Sequence, residues 1–192
     1  MPNDEEDSSG ELEPDADDAV IGRVLGGDRG AYRILVERYQ ASVFRLVRSF
    51  VTPANVDDLA QDVFLSAYLA LGDFDRTRGR FGTWLYTIAR NKCLNARKRK
   101  EPFLFAEPPT QVSPKTPCDA LTEKVLFQSL DRALDELPVE QKTAFVLREF
   151  VGLMPDEIAR IERVDGGTLR SRLSRARARL RAVLGPLLGE EP

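Results

Sequence analysis

Six arginines and no acidic residue lie between Thr168 and Val183, close to the end of this 192-residue chain. The apolar residues of the segment recur at spacings of four, three, four and three, which is the period of one helix face. That stripe consists of Leu169, Leu173, Ala176, Leu180 and Val183. Because all six arginines fall off the stripe, we expect a basic helix face suited to base edges near its start and to phosphates further along. The alternative is an ordinary solvated face that binds nothing.

The residues that precede this helix favour DNA binding. A short helical pattern, Pro155–Glu162, is followed by a predicted turn, Arg163–Gly167, so the three segments together have the pattern of a helix-turn-helix. Thr168 is the predicted N-cap of the second helix, because threonine suits that position and Gly166-Gly167 can adopt turn dihedrals.

A second basic surface is predicted between Arg76 and Lys100, where nine Lys or Arg occur without an acid. Basic side chains interleaved with aromatic rings suit single-stranded nucleic acid, because phosphates attract charge and unstacked bases need a flat surface. Trp84 has an alternative role as a core residue, and Arg97–Lys100 can simply favour a helix C-terminus through its dipole. The apolar stripe of the predicted helix Phe81–Lys100 is Phe81, Trp84, Leu85, Ile88 and Ala89, whereas Thr83, Thr87, Arg90 and Asn91 lie away from it.

A third predicted helix, Val56–Leu71, has an unusual outer face. Acidic and amide groups there (Asp58, Gln61 and Asp62) are mixed with Leu65 and Leu69. This mixture suggests docking on a partner with a basic rim. The alternative is that another helix of the same bundle covers the two leucines.

The composition argues against catalysis and against a membrane protein. The chain has no histidine and only two cysteines, Cys93 and Cys118, which we expect to be free thiols, so neither an enzyme nor a metal or other cofactor is predicted. We find no apolar stretch of transmembrane length and no secretory signal, and therefore expect a cytoplasmic protein without membrane insertion.

Charge and proline content divide the chain into segments. Residues 1–18 carry nine acids and no base, so the overall net charge of −3 leaves +6 on residues 19–192. We expect this disordered tail either to act as a solubiliser or to compete for basic surface. Helical patterns over 19–100 and 120–184 flank a linker, 101–119, with five prolines, and residues 185–192 form a second tail.

The predicted fold is all-α, with two small helical domains joined by an extended linker. Within the first domain we place helices at about Asp17–Leu25, from the Asp28 cap to Phe50, and at the two segments described above.

Both helical domains resemble regions of bacterial RNA polymerase sigma factors of the extracytoplasmic-function (ECF) group. VDDLAQDVFLSAY (Val56–Tyr68) and FDRTRGRFGTWLYTIARNKCLN (Phe74–Asn95) resemble region 2, which docks on polymerase and melts the −10 element. LPVEQKTAFVLREFVGLMPDEIARI and TLRSRLSRARARL resemble region 4, which binds the −35 element as a helix-turn-helix. The resemblance covers nearly all of the chain after residue 17.

The resemblance implies a sigma factor that directs core RNA polymerase to the promoters of a stress- or signal-responsive regulon, and that is held inactive by an anti-sigma factor. The implied polymerase contacts are Asp58, Gln61, Asp62 and Leu65. The implied −10 contacts are Arg76, Arg78, Arg80, Thr83, Thr87, Arg90 and Asn91. The implied −35 contacts are Thr168, Arg170, Ser171, Arg172, Ser174 and Arg175.

Three residues depart from the family pattern. Met154 stands where a small capping residue is usual, Arg163 where a glycine is usual and Gly82 where a longer residue is common. Two other function classes remain open on the residues alone. A stand-alone regulator would bind duplex DNA as a dimer, yet no dimerisation heptads are present. An enzyme acting on nucleic acid would need a histidine or a carboxylate cluster, and this chain has neither.

An extended linker of 19 residues spans about 60 Å, or roughly 18 base pairs, which matches two separated promoter elements.

Overall fold

The computed structural model describes residues 14–99 and 129–188, and these ranges contain helices and turns but no strand. The prediction of an all-α protein with two helical domains is confirmed. No helix in the described ranges is long and apolar enough to cross a membrane. The predicted linker, the acidic residues 1–13 and residues 120–128 lie outside the described residues.

The first domain is a bundle of four helices. They are α1 (Pro14–Leu25), α2 (Tyr32–Arg48), α3 (Val56–Leu69) and α4 (Phe81–Arg99). Asp28 accepts a hydrogen bond from the Ala31 amide at 3.2 Å and so caps the 3₁₀ turn that leads into α2, as predicted. The core is built from the predicted faces, with side chains such as Leu35, Val43 and Leu46 fully buried.

The second domain contains four further helices in its described part. These are α5 (129–135), α6 (Val139–Phe145), α7 (Pro155–Glu162) and α8 (Gly166–Leu188). A π-helical turn, Val146–Phe150, extends α6 and ends before Gly152, whose positive φ of 85° reverses the chain towards α7. The helix-turn-helix is therefore α7 followed by α8.

Several predicted helix ends are wrong by two or three residues. α1 begins at Pro14 rather than at Asp17, and α3 ends at Leu69, because the chain tightens into a 3₁₀ turn over Leu71–Asp73. The α8 stripe is buried at its first four positions, but Val183 is 44% exposed, and the neighbouring Leu184 packs against the core in its place.

The two domains pack against each other. α7 lies on α4, and the π-helical turn lies on α2. Buried residues of both domains, including Leu85 and Ala89 of α4 and Ile158 and Ile161 of α7, belong to one continuous apolar cluster. A smaller cluster joins α5, α6 and α8 through Leu134, Leu137, Ala176 and Leu180.

Candidate nucleic-acid interface

The solvent side of α8 carries a broad basic surface, here called the α8 basic face. Its members Thr168, Arg170, Ser171, Ser174 and Arg175 are exposed, as are Arg177, Arg179 and Arg181 further along the helix. Burial of Leu169 and Leu173 on the opposite side fixes the rotation of the helix, so the basic side chains must point outward. Five of the six predicted −35 residues thus share an accessible surface.

The predicted N-cap of α8 is wrong. The helix begins at Gly166, and Asp165 caps it by accepting hydrogen bonds from the Thr168 amide at 2.9 Å and from the Thr168 hydroxyl at 2.6 Å. The hydrogen bond from the Thr168 side chain is the main reason that the pKa of Asp165 is lowered. Aspartate is as good a capping residue as threonine, and Asp165, three residues before Thr168, satisfies the backbone donors one turn earlier.

Arg172 differs from the other predicted −35 residues. It is half-buried, and its Nη1 donates to Oε2 of Glu162 at 3.0 Å. Glu162 is the last residue of α7, and its side chain has no exposed surface. Its second oxygen, Oε1, accepts a hydrogen bond from Nε of Arg90 on α4 at 2.7 Å. One buried carboxylate therefore holds an arginine from each domain.

The loop between α3 and α4, residues 74–80, is here called the arginine loop. Arg76, Arg78 and Arg80 are exposed on it, as predicted for contacts with an opened strand. Asp75 shapes its 3₁₀ turn by accepting from the Thr77 amide at 2.9 Å, and hydrogen bonds from Thr77 lower the pKa of Asp75. Gly79 then adopts a φ of 151°, which a residue with a side chain rarely does.

Aromatic rings lie beside the arginine loop. Phe74, Phe81 and Trp84 form a cluster in which each pair of ring centroids is 5.4–5.7 Å apart. Phe81 is buried whereas Phe74 and Trp84 are only half-buried, so Trp84 serves partly as a core residue and partly as surface. The arrangement places flat apolar surface next to cationic groups, which is what an unstacked base and its phosphate require.

A surface cavity of about 340 Å³ adjoins the same loop. Arg76, Arg78 and Arg80 line it together with Asp18 and with Arg160, which comes from α7. Arg160 was not predicted as a site residue, because a single arginine in a short amphipathic helix has no distinguishing local pattern.

Two of the four predicted −10 residues of α4, Thr83 and Arg90, contact the second domain. Thr83 is only 8% exposed, and its hydroxyl lies 3.1 Å from Oε1 of Glu157 on α7. Thr87 is half-buried and donates to the Thr83 carbonyl, and Arg90 is held by Glu162. Asn91 alone among these four residues is fully exposed. In this conformation α7 covers the face of α4 that was predicted to meet DNA.

The outer face of α3 is open, as the docking interpretation requires. Asp58, Gln61 and Asp62 are exposed, and Leu65 and Leu69 are 55% and 74% exposed, so no described helix covers the two leucines. Lys92 of α4 lies 3.6 Å from the Asp62 carboxylate at the border of this surface. A groove of about 780 Å³ begins at Leu65 and Phe64 and is bordered by Arg29 and Arg33.

Lys142 of α6 is a buried cation that sequence reasoning missed. Its ammonium group pairs with Asp135 at 2.6 Å and lies 5.1 Å from the centre of the Phe50 ring in the first domain. Burial lowers the pKa of Lys142. No local pattern reveals such a residue, because its partners come from α5 and from the other domain. Within the described residues no cluster of side chains could hold a metal ion.

Comparison with known families supports the resemblance seen in the sequence. Residues 35–102 match the Sigma-70 region 2 family, and residues 127–180 match the Sigma-70 region 4 family. RNA polymerase sigma-H factor of Pseudomonas aeruginosa is 35% identical over 93% of this chain and 99% of that protein. The ECF RNA polymerase sigma-E factor of Escherichia coli is 35% identical over 90% of this chain and 96% of that protein.

Solved structures have the same fold. CnrH, solved in complex with the cytosolic domain of CnrY, is 27% identical, with a TM-score of 0.70 over 89% of this chain and 98% of that one. The sigma factor RpoE of Bartonella quintana, solved with the anti-sigma factor NepR, is 23% identical with a TM-score of 0.61 over 80% of this chain and 98% of that one. With region 2 and region 4 in order and relatives that match along almost their full length, the chain belongs to the ECF group of RNA polymerase sigma factors, which direct transcription initiation at promoters.

Proposed function

We propose that this sigma factor reads the −35 element as duplex DNA and opens and reads the −10 element as a single strand. The observation that carries the proposal is the presence of two separate basic surfaces of different character. The α8 basic face belongs to a helix-turn-helix and contains no aromatic ring among its exposed members, whereas the arginine loop adjoins Phe74, Phe81 and Trp84. The first surface suits a duplex and the second suits unstacked bases.

At the −35 element, the N-terminal part of α8 would lie in the major groove. Arg170 and Arg175 are long enough for bidentate hydrogen bonds to guanine, and Ser171 and Ser174 can bond to bases or phosphates. Thr168 is exposed in the first turn of α8, and its hydroxyl, which donates to Asp165, could still accept a hydrogen bond from a base. Arginines beyond the first two turns would contact the backbone and set the salt dependence of binding.

At the −10 element, the arginine loop would hold the opened strand. Unstacking a base costs a few kcal/mol, and stacking on aromatic rings together with phosphate contacts offsets that cost. Arg76, Arg78 and Arg80 would supply the phosphate contacts, and Asn91 is accessible for a hydrogen bond to a base edge. Thr83, Thr87 and Arg90 join this surface once α7 leaves α4.

The outer face of α3 would dock on core RNA polymerase. Its exposed acids can pair with a basic rim, and Leu65 and Leu69 can be buried at the centre of such an interface. Since the chain belongs to a family that acts with RNA polymerase, this mixed surface is the strongest candidate contact in the described residues. Action with the polymerase implies a cytoplasmic location.

Polymerase docking can be tested by reversing charge on α3. The variant Asp58→Arg with Asp62→Arg should abolish co-purification with core polymerase, because two attractive carboxylates become two like charges against a basic rim. Helicity measured by circular dichroism should stay at the wild-type level, since both residues are exposed. Glu136→Arg with Glu140→Arg is the matched control, because it makes the same charge change on exposed acids of the second domain. Undiminished association of the α3 variant would contradict this docking surface.

An anti-sigma factor is proposed as the negative regulator. CnrH and the Bartonella quintana RpoE were each solved with a partner that binds the sigma factor, and the second partner is named as an anti-sigma factor. The groove beside α3, with Leu65 and Phe64 inside and Arg29 and Arg33 at its border, suits an amphipathic acidic segment of such a partner. Release from this partner would switch on a stress- or signal-responsive regulon.

Run-off transcription with core polymerase tests the function. The protein is combined with core enzyme and a pool of fragmented genomic DNA, and the 5′ ends of the transcripts are sequenced. We expect start sites preceded by two shared motifs separated by about one to two turns of DNA. Transcripts without a shared upstream motif, or none above core enzyme alone, would contradict the proposal.

A further inference from the structure

The contact between the two domains is built on a buried carboxylate that resembles a bound phosphate in its chemistry. Each oxygen of Glu162 accepts from a different arginine, Arg90 at 2.7 Å and Arg172 at 3.0 Å, and none of the Glu162 side chain is exposed. Arginine bonds carboxylates and phosphates with the same donor geometry. The carboxylate therefore occupies one donor of each arginine that could otherwise bond a phosphate.

The two arginines come from the two DNA-binding surfaces. Arg90 lies on α4, on the face proposed for the −10 strand, and Arg172 lies on α8, within the segment proposed for the −35 duplex. Glu162–Arg172 is a contact within the second domain, whereas Glu162–Arg90 joins the two domains. Only the second of these contacts has to break when the domains separate.

Other contacts at the same place keep DNA away from α4. The Thr83 hydroxyl meets Glu157 of α7 at 3.1 Å, and Ile158 and Ile161 of α7 are buried in the shared apolar cluster. A single strand cannot lie along Thr83, Thr87 and Arg90 while α7 occupies that face. The packed arrangement is thus sterically closed to the −10 strand, and it also places α8 beside α4 rather than at a distance suited to a separate promoter element.

We propose that Glu162 is a latch that holds the free sigma factor closed through Arg90, and that it competes with DNA for both Arg90 and Arg172. This inference rests on the proposed function for the assignment of those arginines to DNA. When the domains part, Glu162 and Arg90 both gain water, and a phosphate can replace the carboxylate at Arg90, so the exchange of this ion pair is close to balanced. The loss of the apolar contacts of Ile158 and Ile161 has to be offset by binding to polymerase and DNA. Such a balance suits the Glu162–Arg90 ion pair, which must stay formed in the absence of promoter DNA and break in the polymerase complex.

The latch lowers the apparent affinity of the free protein for DNA. If only a fraction of molecules is open, the measured dissociation constant rises by the inverse of that fraction. Weakening the latch should therefore strengthen DNA binding, which is the opposite of what the loss of an ordinary structural residue does.

The test compares Glu162→Gln with Glu149→Gln. Glu149 also pairs with an arginine of α8, Arg177 at 2.7 Å, but both side chains are exposed and belong to the second domain, so Glu149 controls for the loss of one negative charge near that helix. Small-angle X-ray scattering of the full chain should show a larger radius of gyration for Glu162→Gln and no change for Glu149→Gln. Binding to a labelled single-stranded oligonucleotide should tighten about threefold to tenfold in the first variant and less than twofold in the second.

A second variant separates opening from misfolding. Arg90→Gln breaks the contact between the domains but leaves Glu162 paired with Arg172, and Lys92→Gln is its control, because Lys92 is a neighbouring cation of α4 whose partner Asp62 lies in its own domain. Arg90→Gln should also raise the radius of gyration, with wild-type helicity, whereas Lys92→Gln should not.

The outcomes decide the two proposals separately. A compact wild-type scattering profile in both Glu162→Gln and Arg90→Gln overturns the latch. Opening in both variants without tighter DNA binding by Glu162→Gln supports the latch between domains and contradicts the proposed DNA role of α4.

Discussion

Arg163 adopts a backbone conformation that is strained for a residue with a side chain. It ends α7 in the left-handed region, with φ 54° and ψ 47°, and is the only described non-glycine residue with positive φ. Its amide is bonded to carbonyls of the last turn of α7, so the conformation is fixed by the helix end. The departure from the family glycine at this position therefore costs stability at the turn on which α8 depends.

Replacing this residue should stabilise the second domain. Arg163→Gly removes the steric conflict of a Cβ in the left-handed region, and the gain exceeds the greater entropy of glycine in the unfolded chain by about 0.5–1 kcal/mol. Urea unfolding monitored by circular dichroism measures the difference. Arg163→Ala is the control, because it removes the same side chain but keeps the Cβ, and it should give no such gain. Equal stability of the glycine and alanine variants would contradict the strain argument.

Asp165 gives the turn a dependence on pH. Hydrogen bonds from Thr168 hold its pKa below the ordinary value of 3.8, so the ionised form is favoured by folding. Its contribution is therefore complete above that ordinary value and is lost as the pH falls through the lower pKa of the folded state.

The comparison with Asp165→Asn isolates this effect. Asparagine keeps a capping oxygen but has no charge to lose, so the stability difference between the wild type and the variant should shrink as the pH falls below about 3.8. Thermal unfolding between pH 7 and pH 3 reports it. A difference that stays constant over that range would show that the charge of Asp165 does not contribute.

At the scale of the elements, α8 combines two roles in one helix. Leu169, Leu173 and Ala176 anchor it to the domain, and five of its six arginines are therefore exposed, whereas Arg172 is half-buried against Glu162. The early arginines then lie near the helix N-terminus, where a helix in the major groove meets base edges, and the later ones diverge towards the backbone.

This division of roles along α8 predicts two different mutational signatures. Arg170→Ala should cost about 1–3 kcal/mol on the preferred −35 sequence and little on others. Arg179→Ala should weaken binding to all sequences alike and reduce the slope of log K against log salt by about one. Fluorescence anisotropy with matched and scrambled duplexes over a range of salt measures both. Equal losses for both variants on every duplex would contradict the assignment of base and phosphate contacts.

The helices could be predicted from the sequence, whereas the contacts between the domains could not. The apolar periodicity gave the helices, their buried faces and the outward α3 leucines, because these depend on neighbours three and four residues apart. The cap of α8 was misplaced by three residues, because Asp165 and Thr168 are both capping types and only geometry decides between them. Periodicity has no information about Glu162, Arg160 or Lys142, whose roles depend on the packing of one domain on the other.

At the scale of the whole molecule, the described structure is a closed form. α7 lies on α4, the α4 face proposed for the −10 strand is covered and Arg90 is held by Glu162, while the α3 outer face, the arginine loop and most of the α8 basic face stay accessible. We infer an order of events: polymerase docks through the open α3 face, the domains separate, and the covered part of α4 then becomes available to the opened strand. In this order of events the sigma factor would contribute recognition and strand capture, and polymerase would supply catalysis.

The arginine loop is proposed to open the −10 element, and permanganate footprinting of −10 thymines in polymerase complexes reports that opening. The variant Arg78→Ala with Arg80→Ala should show strongly reduced reactivity and transcription on a duplex promoter, with unchanged binding to the −35 element. A template with mismatched −10 bases has already lost its pairing, so it should recover much of that transcription. Arg45→Ala with Arg48→Ala removes two exposed charges of α2 and should behave like the wild type. Wild-type thymine reactivity in the Arg78 and Arg80 variant would contradict the account.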